Sequence, residues 1–547
     1  MRASSLFVLA GLALCTGNAG AQRSLTGARQ PGIDVVHYEF SVDFPAGANP
    51  DTLRFVSSLT ALRTARTESL ALDLTSALSV DGVTINGAEA RFRHDSLKVR
   101  IALPAGTGDT LRVAVRYHGV PTDGLIVRRD SAGYWTAFGD NFPDRARQWL
   151  ATVDHPSDKA TVEWIVRAPQ THRVIGNGEL LEETPELSSG GPVMVLTRWR
   201  SRQPLYTAVM VIGVAPFAVY ELGKTACGLG ELPGCVPQSV WITPDVRSYM
   251  PGPFARAGDM VALFARLAGP YPYSKLAHVQ SSTRYGGMEN ASAIFYSDNA
   301  YRRRTMSEGL IAHEAAHQWF GDAVTTREWP HVWLSEGFAT YLAALWSEHS
   351  AGDSAFRASM TQMRRQVISS PVTGEKPIID DKLDDLGRVL NSNVYQKAGF
   401  TLHMLRREIG DSAFFRGIRS YYGKHRHGNA LTEDFQREVE ASSGRKLGWF
   451  FDQWMRRPGV ANAKVTWRWD PRIASVVFTF AQSAEASPYQ VGLSFDATDS
   501  RGRVHRSRVM IPAARVATVN VKLRLEGAPS KIVFDPDVSF LGNLTTQ

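Results

Sequence analysis

The chain has 547 residues, 44% hydrophobic and 21% charged, with a formal net charge of +8. This is an ordinary globular balance, long enough for three or four domains, and no repeat or low-complexity tract is present. The basic excess lies in short, scattered clusters (Arg302-Arg303-Arg304, Arg364-Arg365, Lys424-His425-Arg426-His427) without interleaved aromatics, a pattern of solvated faces that speaks against a nucleic-acid partner.

In chain order, Arg2, the apolar run Leu6 to Leu14 and the small-residue exit Ala19-Gly20-Ala21 predict a secretory signal over residues 1–21. The expected location is therefore periplasmic or secreted. Leu14 is too bulky to precede a lipidated Cys15, and no run is long enough for a transmembrane helix. Alternation from Val36 to Phe44 predicts a half-buried strand. Further short strands, such as Thr161 to Val166 and Thr207 to Val214, predict an antiparallel β domain over 30–225. Cys227 and Cys235 flank a Gly/Pro turn, which in an exported chain predicts a local disulfide.

From about Met250 the pattern becomes helical, predicting an α-rich domain over 226–462. Thr305 and Glu308 have capping-box spacing for a helix running to about Gly321. Other helices are expected over Leu334 to Trp346, Tyr395 to Ile409, Ser412 to His425 and Thr432 to Ala441. Beyond Pro458-Gly459 alternation returns, in Lys464 to Trp469 and Ala474 to Phe480, predicting a small β-sandwich over 463–547. The fold class expected is multidomain α+β.

The helix expected around residue 313 carries the chemistry. His313 and His317 stand four residues apart, so their imidazoles share one face, roughly 6 Å apart. Glu314 follows the first histidine, giving the H-E-x-x-H pattern of zinc metallopeptidases. A catalytic zinc takes three protein ligands and keeps a fourth position open. Glu336, with eighteen residues between it and His317, is placed to be the third ligand from a following helix, with Ser335 a candidate cap.

The chain resembles the zinc aminopeptidases of the aminopeptidase N and leukotriene A hydrolase type, the gluzincins. The resemblance rests on His313-Glu314-x-x-His317 with Glu336, on Gly286-Gly287-Met288-Glu289-Asn290, and on Val394-Tyr395-Gln396-Lys397-Ala398-Gly399. The segments Asp154 to Thr161 and Phe450-Phe451-Asp452-Gln453-Trp454 extend it over roughly residues 33 to 460. It implies a thermolysin-like catalytic domain with one zinc ion per chain and peptide substrates bearing a free N-terminus. It also implies that Glu314 acts as general base, Tyr395 stabilises the oxyanion, Gly286, Gly287, Met288 and Asn290 line the substrate strip, and Glu289 meets the α-ammonium.

The match departs from the family in two places. There is no room for the large helical C-terminal domain of many relatives. Before Ala146-Arg147, where the family carries a second amine anchor, stands Asp140-Asn141-Phe142-Pro143-Asp144, leaving Asp140 or Asn141 as candidates. Epoxide hydrolysis and thermolysin-like endopeptidase action are the alternative chemistries, and a non-catalytic scaffold is a further alternative.

Overall fold

The computed structural model describes residues 30–45, 52–104, 106–129, 135–187, 191–225, 236–249, 252–483, 487–525 and 527–546. The signal segment and Cys227 and Cys235 lie outside the described residues. The chain has an N-terminal β-rich region, a helix-rich central region and a C-terminal β region. It divides into two compact units. One runs to Trp329 and includes 384–386 and 425–430; the other holds the remainder. No helix among the described residues is long and apolar enough to cross a membrane.

In the first unit, an eight-stranded sheet is built around Ile33–Asp43, which pairs antiparallel with Leu53–Arg63 and parallel with Lys159–Pro169. Its alternating side chains put Val35, Tyr38, Phe40 and Val42 inside, where Phe40 meets Trp164 at 4.9 Å. The strand expected over Thr207 to Val214 is broken. Thr207–Val209 is a 3-10 turn and the strand is Ile212–Ala215. The break follows from Asn141, whose amide donates to the Thr207 and Met210 carbonyls (3.0 and 2.7 Å) and so removes them from any ladder.

A second, five-stranded sheet runs in the spatial order Ala218–Thr225, Val236–Ile242, Leu276–Ser281, Ala293–Ser297, Gly287–Met288. Gly287–Met288 is its edge, paired antiparallel with Tyr296 and Phe295. The helix Glu308–His317 belongs to this unit. Its cap is Ser307, whose hydroxyl accepts from Leu310 N at 3.2 Å, rather than Thr305. Thr305 is used to close the preceding helix: Arg304 turns left-handed (φ 54°) and Thr305 N bonds back to Ala300 O at 2.9 Å. The helix ends at His317, short of Gly321.

In the second unit, the helix Trp333–Ala351 is capped at Val332, so Ser335 lies inside its first turn instead of capping it. A π-helical turn, Asn393–Lys397, leads into the helix Ala398–Ile409. Two sheets of four and three strands form the C-terminal region, with Phe478 and Phe495 meeting at 4.8 Å. The Phe450–Trp454 segment is spliced onto it. The Gln453 amide exchanges two hydrogen bonds with the Gln490 backbone (2.9 and 2.8 Å), and Trp454 packs on Tyr489.

Candidate active site

The histidine helix brings the Nε2 atoms of His313 and His317 to 3.1 Å from each other. His317 Nδ1 lies 3.1 Å from the Phe320 carbonyl, an acceptor. Nδ1 must therefore carry the proton, which leaves Nε2 a lone pair. Two nitrogens at that spacing can share a proton from His313 Nε2 or bind one metal ion. Tetrahedral zinc with ligands at about 2.0–2.1 Å would set its nitrogens about 3.3–3.4 Å apart, so the pair fits zinc closely.

Glu314 is buried and packs on the edge strand. A Cβ built on Gly287 would fall 2.3 Å from Glu314 Oε1, 2.4 Å from Cδ and 2.6 Å from Cγ. Gly287 is thus a glycine because the carboxylate occupies the volume of a side chain there. Gly286 has no such constraint, since its Cβ would lie 4.0 Å from Leu310. Gly286 O accepts from Ser297 N at 3.1 Å, and Met288 is buried. Glu289, also buried, offers a carboxylate oxygen within 4.8 Å of ligand-type atoms of Glu314 and His317. Asn290 is fully buried, and both of its amide atoms lack a hydrogen-bond partner among the described residues.

Asp140 and Asn141 are both engaged within the first unit. Asn141 spends its amide on Thr207 and Met210, and its oxygen accepts from Trp149 Nε1 at 2.7 Å. Asp140 is fully buried against Arg145 (2.8 Å) and Arg284 (3.4 Å).

The second unit carries Glu336 and Tyr395. Glu336 is buried in the first turn of the helix Trp333–Ala351. Tyr395 is half-buried in the π-helical turn. Small residues let these elements approach: a Cβ on Gly337 would fall 2.7 Å from Ala398 Cβ, and one on Gly399 would meet Thr340 at 3.1 Å. Asn393 anchors the turn by donating to the Val372, Lys376 and Pro377 carbonyls (3.2, 2.9 and 3.3 Å). Burial lowers Lys397 to about 7, and its amine donates to Arg457 O at 3.2 Å.

Spacing alone did not disclose the role of Lys159. Its buried amine donates to the carbonyls of Asp322 and Ala323 (2.8 and 3.1 Å) and to the Thr325 hydroxyl (2.9 Å), holding the turn after the histidine helix. Burial lowers it to about 7. In the same turn, burial and then Glu289 raise the Asp322 carboxyl well above its ordinary range.

A helical histidine pair with facing Nε2 atoms and a carboxylate on the intervening turn has the arrangement of an H-E-x-x-H metallopeptidase. Residues 259–454 match the Peptidase family M1 domain. The chain is 26% identical over 500 residues to aminopeptidase N of Streptomyces lividans, covering 83% of this chain and 54% of that protein. It is 24% identical to leucyl aminopeptidase of Saccharolobus solfataricus, covering 73% and 51%. The chain spans about half the length of these curated relatives. Among solved structures, it resembles an M1 zinc metallopeptidase mutant of Deinococcus radiodurans bound to a Tyr-Ser-Ala substrate. That match has a TM-score of 0.67 and 25% identity, and covers 78% of this chain and 95% of that one. It shares its fold with aminopeptidase A of Legionella pneumophila at TM-score 0.81 and 16% identity, covering 96% and 61%. Residues 259–454 thus match a Peptidase family M1 domain, and the chain is similar to metallopeptidases of the aminopeptidase N, or gluzincin, type.

Proposed function

We propose that the protein is a zinc aminopeptidase that removes N-terminal residues from peptides. The observation that carries this reading is the placement of Glu289 beside Glu314 and His317, so that a carboxylate able to take an ammonium stands next to the catalytic base. His313, His317 and Glu336, a donor set suited to one ion, would hold the zinc. When bound, zinc supplies Lewis acidity and makes water a nucleophile near neutral pH.

The chain's own residues do the rest. Glu314 accepts the proton of the attacking water and delivers it to the departing amine. The Gly287–Met288 edge receives the substrate backbone as an added strand. Glu289 pairs with the α-ammonium, and the Tyr395 hydroxyl donates to the oxygen on which negative charge develops. The named activities of the relatives and the Tyr-Ser-Ala substrate of the Deinococcus radiodurans structure support this reading.

The test compares an aminoacyl anilide with its N-acetylated twin. A charge-assisted contact of ~2–3 kcal/mol predicts roughly 30- to 150-fold preference for the free amine. Equal cleavage of the two would reject the aminopeptidase reading.

We also propose export. Arg2, the apolar run and the Ala-Gly-Ala exit support it, with Cys227 and Cys235 joined in the mature chain. N-terminal sequencing should begin at Gln22, and a non-reduced digest should contain the linked pair. An uncleaved Met1 would count against export, and two alkylatable thiols against the disulfide.

A further inference from the structure

The residue after the second histidine, Gln318, is fully buried, and its side-chain amide is spent on backbone, one carboxylate and, at 3.4 Å, the Tyr271 hydroxyl, which donates to Oε1. Oε1 accepts from Ser292 N at 2.7 Å. Nε2 donates to the Glu289 carbonyl at 2.8 Å and to Asp322 Oδ2 at 2.9 Å. One amide thus grips both ends of the four-residue turn that starts at Glu289. Its orientation is fixed by chemistry, because a backbone N–H faces one end and a backbone carbonyl the other.

The rest of that turn is held as closely. Asn177 donates to Ala291 O at 2.8 Å. Lys275 donates to Ser292 O and Oγ (3.3 and 3.2 Å), and Gly178 N donates to Ser292 Oγ at 2.7 Å. Ala293 N closes the turn onto Asn290 O at 2.9 Å. Ser292 itself has φ 64°, a left-handed conformation that a non-glycine residue keeps only where its surroundings fix it.

We infer that Gln318 is a positioning residue for Glu289. Through Gln318 the histidine helix sets where the amine-binding carboxylate stands, so the reacting carbonyl and the substrate's α-ammonium are measured from one rigid element. This inference rests on the aminopeptidase reading. Gln318 touches neither substrate nor reacting atoms. It works by fixing the backbone from which Glu289 projects. A 1 Å misplacement of such a group is enough to lose much of a charge-assisted contact.

The experiment measures binding by calorimetry to the zinc-loaded protein, using leucine hydroxamate and its counterpart lacking the amine. The hydroxamate is common to both ligands, so the ratio of dissociation constants reports the amine contact alone. In the Gln318→Met variant, zinc stoichiometry should stay at the wild-type value while the ratio shrinks at least fivefold. In a Glu289→Ala background, Gln318→Met should shrink it no further. Should Gln318→Met not fold, Ser292→Gly frees the same turn from its other end while keeping the backbone N–H that Gln318 accepts from, and should shrink the ratio in the same direction. A purely structural role would weaken both ligands equally or add to Glu289→Ala. Either result, or an unchanged ratio, overturns the inference while leaving the aminopeptidase reading intact. A wild-type ratio near one overturns that reading, and the inference with it.

Discussion

Replacing Gly287 by alanine should disable the enzyme without unfolding it. The new Cβ would stand 2.3–2.6 Å from Glu314 Oε1, Cδ and Cγ. Ordinary carbon contacts begin near ~3.5 Å, so the carboxylate must move by about 1 Å. The atoms in the way are the end of one flexible side chain, not backbone, so the displacement is cheap for the fold, ~1 kcal/mol, the low end of overpacking costs. For the chemistry it is expensive, since a 1 Å misplacement of a reacting group costs on the order of 100-fold. Gly286→Ala is the internal control: its Cβ would meet only Leu310, at 4.0 Å. The assay is kcat/KM on a free-amine aminoacyl anilide, with zinc content and thermal midpoint measured on the same preparations. Gly287→Ala should lose about 100-fold in kcat/KM at unchanged zinc content, and Gly286→Ala only a few-fold. Equal losses in the two variants, or full activity in Gly287→Ala, would refute the packing argument.

Three further outcomes follow from the same geometry. Glu314→Gln should retain zinc and lose ~10²–10⁴-fold in kcat, the usual worth of a general base; wild-type turnover in that variant would remove Glu314 from the mechanism. Glu336→Ala should abolish activity and lower zinc content by elemental analysis, whereas full zinc occupancy would mean that Glu336 is not a ligand. Acid stability should depend on His278, which is fully buried between Tyr296 OH (3.0 Å) and Gln238 Oε1 (3.3 Å) and lowered by burial to about 3. Because its folded value lies below that of the unfolded chain, the unfolded state binds the extra proton first. Stability should therefore fall as pH drops from about 6.5 toward 3, by at most ~1.4 kcal/mol per unit from this residue. Urea midpoints of wild type and His278→Gln across that range check the slope, which should be shallower in the variant.

What the sequence disclosed and what it withheld divide along a physical line. The histidine pair was legible because helical period converts a spacing of four into a shared face, and the structure puts the two Nε2 atoms 3.1 Å apart. Strand alternation found the strand Ile33–Asp43 because period two is equally local, but not its bulge between Val35 and His37, which puts Val35 rather than Val36 on the buried face. The cap at Thr305 was misassigned because two hydroxyl residues compete within three positions. The choice was made by Arg304, whose left-handed turn spends Thr305 on the preceding helix. The break at Thr207 and the grip of Gln318 on Ser292 were hidden for another reason. Each is made by one side chain on backbone groups distant in sequence, and a carbonyl has no letter in the sequence.

The glycines connect these two kinds of knowledge. Many glycines of the chain have positive φ, where a turn demands them: Gly352, Gly410 and Gly444 each end a helix this way. Gly287, Gly337 and Gly399 do not. Their backbones are ones any residue can adopt, and their need is space, for Glu314 in one unit and for Ala398, Thr340 and Met363 in the other. Every one of the three lies within four residues of a group assigned to the chemistry: Gly287 by Glu289, Gly337 by Glu336, Gly399 by Tyr395. A catalytic group must be held by close packing to keep its position, and close packing leaves no volume for a neighbouring Cβ. Crowding alone does not mark a site, because Gly417 and Gly492, also with unstrained backbone, are crowded by Val439 and by Arg508 far from this chemistry. What sets Gly287 apart is the atom it makes room for, the Glu314 carboxylate, whereas Gly286, whose Cβ would meet only Leu310 at 4.0 Å, is the member of the Gly-Gly pair that packing does not require.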